Sequence, residues 1–345
     1  MAKGITNLPA SVHQKLLNKA TQTDRPFNEL LQYFAMERFL YRLSKTPHAG
    51  KFVLKGALMF TVWGAPASRP TKDIDLLGRT GNDVDEIVKV MKDACNVEVE
   101  PDGMSFDDKS VGGGPIAEDA DYQGVRVTLR GALGNARVSL QIDIGFGDVI
   151  SPRPTRISYP TILDFPAPKF SGYSKESAIA EKFQAMVKLG MLNSRMKDFY
   201  DIWLMSRMFD FKGQDLAKAI EKTFENRDTA LTSDPKVFDR EFCTDKNKQT
   251  QWKAFLKRSK LKNAPDDLCG VAVDLEKFLD PVLRAIVSKE AFDRIWIVTR
   301  GWGFFEALKK SREDRFGEEY ATLLEHWKEK ETFFDKMKEW RKTRN

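Results

Sequence analysis

Residues 69–79 read RPTKDIDLLGR. Asp73 and Asp75 stand on either side of Ile74, and Leu76 and Leu77 follow. In an extended strand, alternate side chains point to the same face. The stretch therefore predicts a strand with Asp73 and Asp75 projecting together and Ile74 and Leu76 facing a core. Two carboxylates held side by side repel each other unless a cation lies between them. The alternative is a strand with one solvated face, on which both aspartates are ordinary surface residues.

The 345-residue chain is long enough for two domains or one large one with additions. Hydrophobic residues make up 41% and charged residues 31%, an ordinary globular balance. No apolar run approaches the ~20 residues that span a bilayer, so no membrane partner is expected. The N-terminal MAKGITNLPASVHQ lacks the apolar core of a secretory signal. Cys95, Cys243 and Cys269 are odd in number and widely spaced, which predicts no disulfide framework and a cytoplasmic location. The net charge of +6 suits an anionic partner. His13, His48 and His326 lie far apart and away from the cysteines. This argues against a zinc site and against a histidine-activated nucleophile. A metal, if used, would be held by carboxylates, which favour Mg²⁺ or Mn²⁺.

Upstream of the quoted stretch, SVHQKLLNKATQ and FNELLQYFAMERFLYRLSK carry apolar residues at helical spacing, with Asp24 and Asn28 near helix starts. In KFVLKGALMFTVWG, Phe52–Leu54 reads as a short strand, Gly56 as a tight turn, and Ala57–Val62 as a helix. A glycine turn into a helix can present amides to phosphate. Downstream, NDVDEIVKVMKDAC is an amphipathic helix. Residues 97–124 are polar and glycine-rich and predict loops and short strands. GVRVTLRGALGNARVSLQIDIGFGD alternates in two arms around LGNA, a hairpin pattern that sets Asp143 opposite to Ile142 and Ile144. A proline-rich stretch, residues 151–174, marks a boundary, after which the period becomes helical.

Asp73, Asp75 and Asp143 thus form a candidate carboxylate set, each bracketed by apolar neighbours where an uncompensated charge is costly. In KESAIAEKFQAMVKLGM, Lys182 lies at the rim of an apolar stripe; it could reach a phosphate or merely snorkel. In SRMKDFYDIW, Asp198 and Asp201 share a helix face, and Lys197 and Asp201 have the spacing of an i,i+4 pair. Lys246–Lys262 interleaves seven basic residues with Trp252 and Phe255. Such a segment can bind single-stranded nucleic acid or form a solvated amphipathic helix. The terminal SREDRF…EHWKEKETFFDKMKEWRKTRN predicts a further amphipathic helix whose Trp327, Phe334 and Met337 pack.

Taken in order, FVLKGALMF, RPTKDIDLLG, LQIDIGFGD, ESAIAEKFQAMVKLG and NSRMKDFYDIW resemble the motifs of the AbiEii/AbiGii toxin family over about residues 37–204. These are nucleotidyltransferases of type IV toxin–antitoxin systems. The resemblance implies an α+β fold, with a polymerase β-type nucleotidyltransferase domain of mixed sheet and helices over residues 1–165. An all-helical C-terminal domain over residues 166–345 would contribute to the active-site cleft. It also implies roles. Asp73, Asp75 and Asp143 would hold Mg²⁺ or Mn²⁺. Lys55, Gly56, Ala57 and Lys182 would bind the NTP, and Asp198 would be an essential acid beside the nucleotide or the acceptor. Family members often carry Gly-Ser or Gly-Gly where this chain has Gly56-Ala57, so backbone amides alone would serve at that turn. The implied reaction moves NMP from an NTP to an RNA 3′ hydroxyl, with tRNA the favoured acceptor, and blocks translation. An antitoxin encoded nearby would be the protein partner. Two other outcomes stay open: modification of a protein hydroxyl, and a non-catalytic nucleotide- or RNA-binding regulator.

Overall fold

The structure is a computed structural model, and it describes residues 7–65, 69–116, 124–261, 264–298 and 300–303. The expected C-terminal helix with Trp327, Phe334 and Met337 lies outside the described residues.

Helix α1 (Leu8–Thr23) starts at Asn7, whose side chain accepts a hydrogen bond from the Ala10 amide. The sequence pattern sets Asp24 near a helix start. It closes α1 in the left-handed conformation, three residues before the start of α2 (Phe27–Lys45), which Pro26 precedes. An aspartate tolerates that conformation because its short polar side chain can bond locally. Strand β1 (Phe52–Lys55) and the single-turn helix α3 (Leu58–Val62) lead to β2 (Asp73–Gly78), then α4 (Val84–Asn96). Strands β3 (Met104–Pro115), β4 (Val125–Leu133) and β5 (Ala136–Phe146) follow. The hairpin around LGNA forms as its alternation predicts. Residues 104–115, within the stretch expected as loops and short strands, form one long edge strand, with a register shift between Asp107 and Gly112. Its alternation is blurred by three glycines and by a solvated outer face.

Strands β6 (Thr155–Ser158) and β7 (Lys169–Gly172) complete a seven-stranded mixed sheet in the order β3-β4-β5-β2-β1-β7-β6. The β2–β5 and β1–β7 pairs are parallel and the others antiparallel. One face of the sheet packs on α2 and α4. Ile74, Leu76, Val125, Val127, Ile142 and Ile144 from the strands meet Phe34, Phe39, Ile87 and Met91 in one core.

The following helices are α5 (Lys175–Leu189), α6 (Met196–Met208), α7 (Gly213–Asn226), α8 (Arg240–Thr244), α9 (Lys246–Ser259) and α10 (Leu268–Val287). Their core, built around Phe183, Phe199, Trp252, Phe255 and Phe278, is distinct from the sheet core. Three short strands join them: β8 (Phe211–Lys212), β9 (Ile295–Ile297) and β10 (Gly301–Gly303), paired in the order β10-β9-β8. The C-terminal half is therefore helical with a small sheet added.

One further detail differs from the sequence reading, and another selects between its two alternatives. Cys243 of α8 and Cys269 of α10 form a disulfide, with Cα atoms 4.9 Å apart, whereas no disulfide was expected. Their separation of 26 residues says nothing of the packing of α8 on α10, which brings them together. In α9, Trp252 and Phe255 are buried, and the Trp252 indole donates to the Pro265 carbonyl. The aromatic residues there are core, so the basic segment is an amphipathic helix with a solvated face. No helix among the described residues is long and apolar enough to cross a membrane.

Candidate active site

Strand β2 alternates as its sequence predicts: Ile74 and Leu76 are fully buried in the sheet core, and Asp73 and Asp75 are half-buried on the opposite face. The parallel register pairs Asp75 with Asp143 and Asp73 with Gln141 across to β5. On the other side, Lys55 of β1 pairs with Asp75. Beyond β5, Arg126 of β4 pairs with Asp143. A single row across four strands thus reads Arg126, Asp143, Asp75, Lys55, with two carboxylates inside two cations. Helices α5 and α6 lie over this face.

The two ends of the row differ. Arg126 grips Asp143 with both arms of its guanidinium, Nε to Oδ1 at 2.8 Å and Nη2 to Oδ2 at 2.9 Å. The Gln141 amide also donates to Asp143 Oδ2, at 3.2 Å. Lys55 leans away from Asp75. Its ammonium lies 2.7 Å from Asp148 Oδ2 and 3.1 Å from Glu181 Oε2. Arg227 holds the other oxygen of Asp148, and the Tyr173 hydroxyl donates to Glu181. Burial alone would lower the Lys55 pKa, but Glu181 and Asp148 together raise it. Lys55 is thereby a strut between the sheet and α5.

Asp73 and Asp75 have no ion-pair partner in contact among the described residues, in contrast to Asp143. Burial raises the Asp73 pKa above its ordinary value, and Asp143 adds to the rise. Burial also raises Asp75, while Lys55, Lys197 and Lys182 act against it from nearby. The turn after β1 presses on this pair. Gly56 has φ +70°, and a Cβ there would lie 2.6 Å from Asp75 Cγ. Ala57 is buried, and α3 has only five residues, so little helix dipole is available at the turn.

A second ionic network joins the halves. Lys182 of α5 reaches Asp198 Oδ1 at 3.0 Å and Asp201 Oδ2 at 2.8 Å, both on α6. Arg195 holds the other oxygen of Asp198 at 2.7 Å. Arg69, at the start of the quoted stretch, reaches both oxygens of Asp201 at 3.1 Å. The Lys197–Asp201 pair that the i,i+4 spacing allows does not form; Arg69 and Lys182 take that carboxylate. Lys197 is left exposed among Lys182, Arg69 and Arg195; burial of its surroundings and those cations lower its pKa, against the pull of Asp198.

Of the residues singled out in the sequence, Asp73, Asp75 and Asp143 share a face and Lys182 and Asp198 stand in contact. Arg126, Arg69, Asp148 and Glu181 were not singled out. Arg126 carried a readable signal: in VRV it interrupts an apolar alternation as Asp75 does in IDL. Among the described residues no three His, Cys, Asp or Glu side chains are gathered as a metal-holding group. The donor set fits Mg²⁺ or Mn²⁺ in kind, since all its donors are carboxylate oxygens. Asp73 and Asp75 are the two with no cation in contact, and Asp143 is the third, held by Arg126.

A family model described as the nucleotidyl transferase AbiEii toxin of type IV toxin–antitoxin systems matches residues 38–295. Two solved structures are similar. MenT4, a nucleotidyltransferase toxin of Mycobacterium tuberculosis H37Rv, has 14% identity and a TM-score of 0.45, with 82% of this chain and 99% of that chain covered. JHP933 of Helicobacter pylori has 17% identity and a TM-score of 0.43, with 76% of this chain and 92% of that chain covered. No curated protein sequence matches. The family model covers well over half of the chain, including all five motifs and both ionic networks. The chain belongs to the AbiEii nucleotidyl transferase toxin family of type IV toxin–antitoxin systems.

Proposed function

We propose that this nucleotidyltransferase toxin transfers a nucleoside monophosphate from an NTP to the 3′ hydroxyl of an RNA, with tRNA the favoured acceptor, and so blocks translation in the cytoplasm. The observation that carries the reading is the side-by-side placement of Asp73 and Asp75 on β2, with Asp143 in register across β5. In the transfer, the acceptor oxygen bonds to the α-phosphorus, the bond between the α- and β-phosphates breaks, and pyrophosphate leaves. The hydroxyl proton passes to a carboxylate of this face.

Asp73, Asp75 and Asp143 would hold Mg²⁺ or Mn²⁺, which when bound neutralises phosphate charge and activates the hydroxyl. Lys182 and Lys197 supply positive charge on the α5–α6 side, where the departing pyrophosphate gains charge. Asp198 and Asp201 position Lys182. Gly56 and Ala57 let the chain approach Asp75 closely, and Lys55 fixes β1 against α5. The basic balance of +6 suits an RNA acceptor. A nearby-encoded antitoxin is the expected protein partner, and residues 1–165 and 166–345 are taken as the two domains flanking the cleft.

The test is to incubate pure protein with each α-³²P-labelled NTP, Mg²⁺, and either total RNA or total protein. Label in RNA at its 3′ end is the expected result. Label in protein instead assigns the hydroxyl to a polypeptide, and no label in either overturns catalysis in favour of a binding regulator.

A further inference from the structure

Resting on that reading of the aspartate face, we propose that Arg126 is the exchangeable counter-cation of Asp143, a positioning residue that a divalent ion must displace to complete the centre. Arg126 occupies Asp143 by both oxygens, at 2.8 and 2.9 Å, and does so from the register position directly opposite on β4. A planar fork matched to a carboxylate is the strongest single-residue grip available to this side chain. Asp143 is thus held ready on the same face as Asp75, its register partner, while one positive charge stands where a metal ligand would be needed.

Three features make this grip exchangeable. The Arg126 side chain is 35% exposed and that of Asp143 19%, so the pair sits at the open side of the face. Solvent reaches the pair from one side and screens it, so an entering dication meets less resistance there than it would at an enclosed pair. Val125 and Val127 are buried on either side of Arg126, which anchors the strand, so only the arginine side chain needs to swing. The other cations near the face are committed elsewhere. Lys55 is fixed by Asp148 and Glu181, and Lys182 by Asp198 and Asp201, each in a largely enclosed network. Arg126 alone among these three spends its charge on a carboxylate of the row itself.

The charge balance follows. With Arg126 in place, the formal charge of Asp73, Asp75, Asp143 and Arg126 is that of two uncompensated carboxylates, which one divalent ion neutralises. With Arg126 displaced, a third carboxylate becomes available. Arg126 therefore lowers the metal affinity of the centre and sets when Asp143 joins it.

The test measures Mn²⁺ binding to the full chain, without nucleotide, by the electron paramagnetic resonance signal of free Mn²⁺. Wild type is compared with Arg126→Gln, Arg126→Lys, Asp73→Asn and the double variant Arg126→Gln/Asp143→Asn. Arg126→Gln is expected to bind Mn²⁺ about tenfold more tightly, because a like charge a few ångströms away is removed. Arg126→Lys, which keeps the charge and loses the fork, falls between. The gain disappears in the double variant. Equal or weaker binding by Arg126→Gln, in a protein that still loses Mn²⁺ on Asp73→Asn, overturns the role of Arg126 alone. Should Arg126→Gln fold poorly, Arg126→Lys decides: wild-type affinity there overturns the inference. Binding that ignores Asp73→Asn overturns the metal reading of the face and this inference with it.

Discussion

Lys182 Nζ lies 3.0 Å from Oδ1 of Asp198 and 2.8 Å from Oδ2 of Asp201, and the two carboxylates are 0% and 1% exposed. An ion pair this enclosed is costly to break from one side, because the buried partner loses part of its compensation. Asp198→Asn is therefore expected to destabilise the fold by about 3 kcal/mol. Lys182→Ala takes one of two cations from each carboxylate, leaving Arg195 on Asp198 and Arg69 on Asp201, and is expected to cost about as much. It also removes positive charge near Asp75, so labelling should fall by ~10²-fold in the fraction that folds. Lys182→Arg should restore more of the stability than of the turnover, since a planar fork does not replace a compact ammonium. Urea unfolding and labelling, run on the same preparations, check both halves. Unchanged unfolding midpoints would show that the network carries no net energy.

The same network gives an acid-side pH dependence. Burial alone would raise the Asp198 carboxyl, but Lys182, Arg195 and Lys197 outweigh it and hold it at about 2, below its ordinary 3.8. A carboxyl depressed on folding stabilises the native state above its unfolded pKa, and that stability is lost as pH falls through the folded value. The difference corresponds to about 2 kcal/mol, released between about pH 4 and pH 2. Wild type should lose stability steeply across that window, and Asp198→Asn should show a flatter profile there. Parallel profiles for the two proteins would remove Asp198 as the source.

Asp73 and Asp75 act in the opposite sense. Burial raises both, so each carries a cost once ionised at neutral pH without a cation. Asp73→Asn and Asp75→Asn are expected to melt at the same temperature as wild type or higher in EDTA at pH 7. Both should nevertheless abolish labelling and growth inhibition. A well-folded double variant that still arrests growth would exclude the carboxylate mechanism.

How much of this could be read from the chain depends on the range of each interaction. The alternation in DIDLL and QIDIG is local, so the strands and the facing of Asp73, Asp75 and Asp143 follow from the period of two. Which strands are neighbours is not local. The pairing of Asp75 with Asp143 needs a parallel register across a crossover; their shared apolar setting groups them as candidates, but no local pattern makes the two strands neighbours. Arg69 and Asp201 are 132 residues apart, and no spacing rule links them. The local rule suggested Lys197 for Asp201, and a better-placed partner from the other half displaced it. The glycines of β3 hid the length of that strand, because glycine weakens the side-chain alternation on which strand reading depends. The Cys243–Cys269 disulfide was hidden for the same reason as Arg69: helix packing, not spacing, sets its distance.

The turn at Gly56 offers a test of how tightly backbone and centre are coupled. Gly56 sits at φ +70°, and an added Cβ would lie 2.6 Å from Cγ and 2.7 Å from Cβ of Asp75, overlapping its carboxylate. For an L-residue the left-handed conformation costs about 1–2 kcal/mol. The overlap adds to this unless Asp75 moves. Both routes damage the centre: either the turn shifts and β1 with it, or Asp75 leaves its position opposite Asp143. Gly56→Ala is therefore expected to lose about 2 kcal/mol and to label RNA at least ~10²-fold more slowly, since small misplacements of reacting groups are that costly. Gly50→Ala is the control, because a Cβ there meets nothing within 4 Å. The double variant Gly56→Ala/Asp75→Ala should be less destabilised than the two single changes added together, as neighbours sharing one contact are not additive. Additive losses would place the cost in the backbone angle alone. Wild-type melting and labelling in Gly56→Ala would refute the close packing of this turn on Asp75.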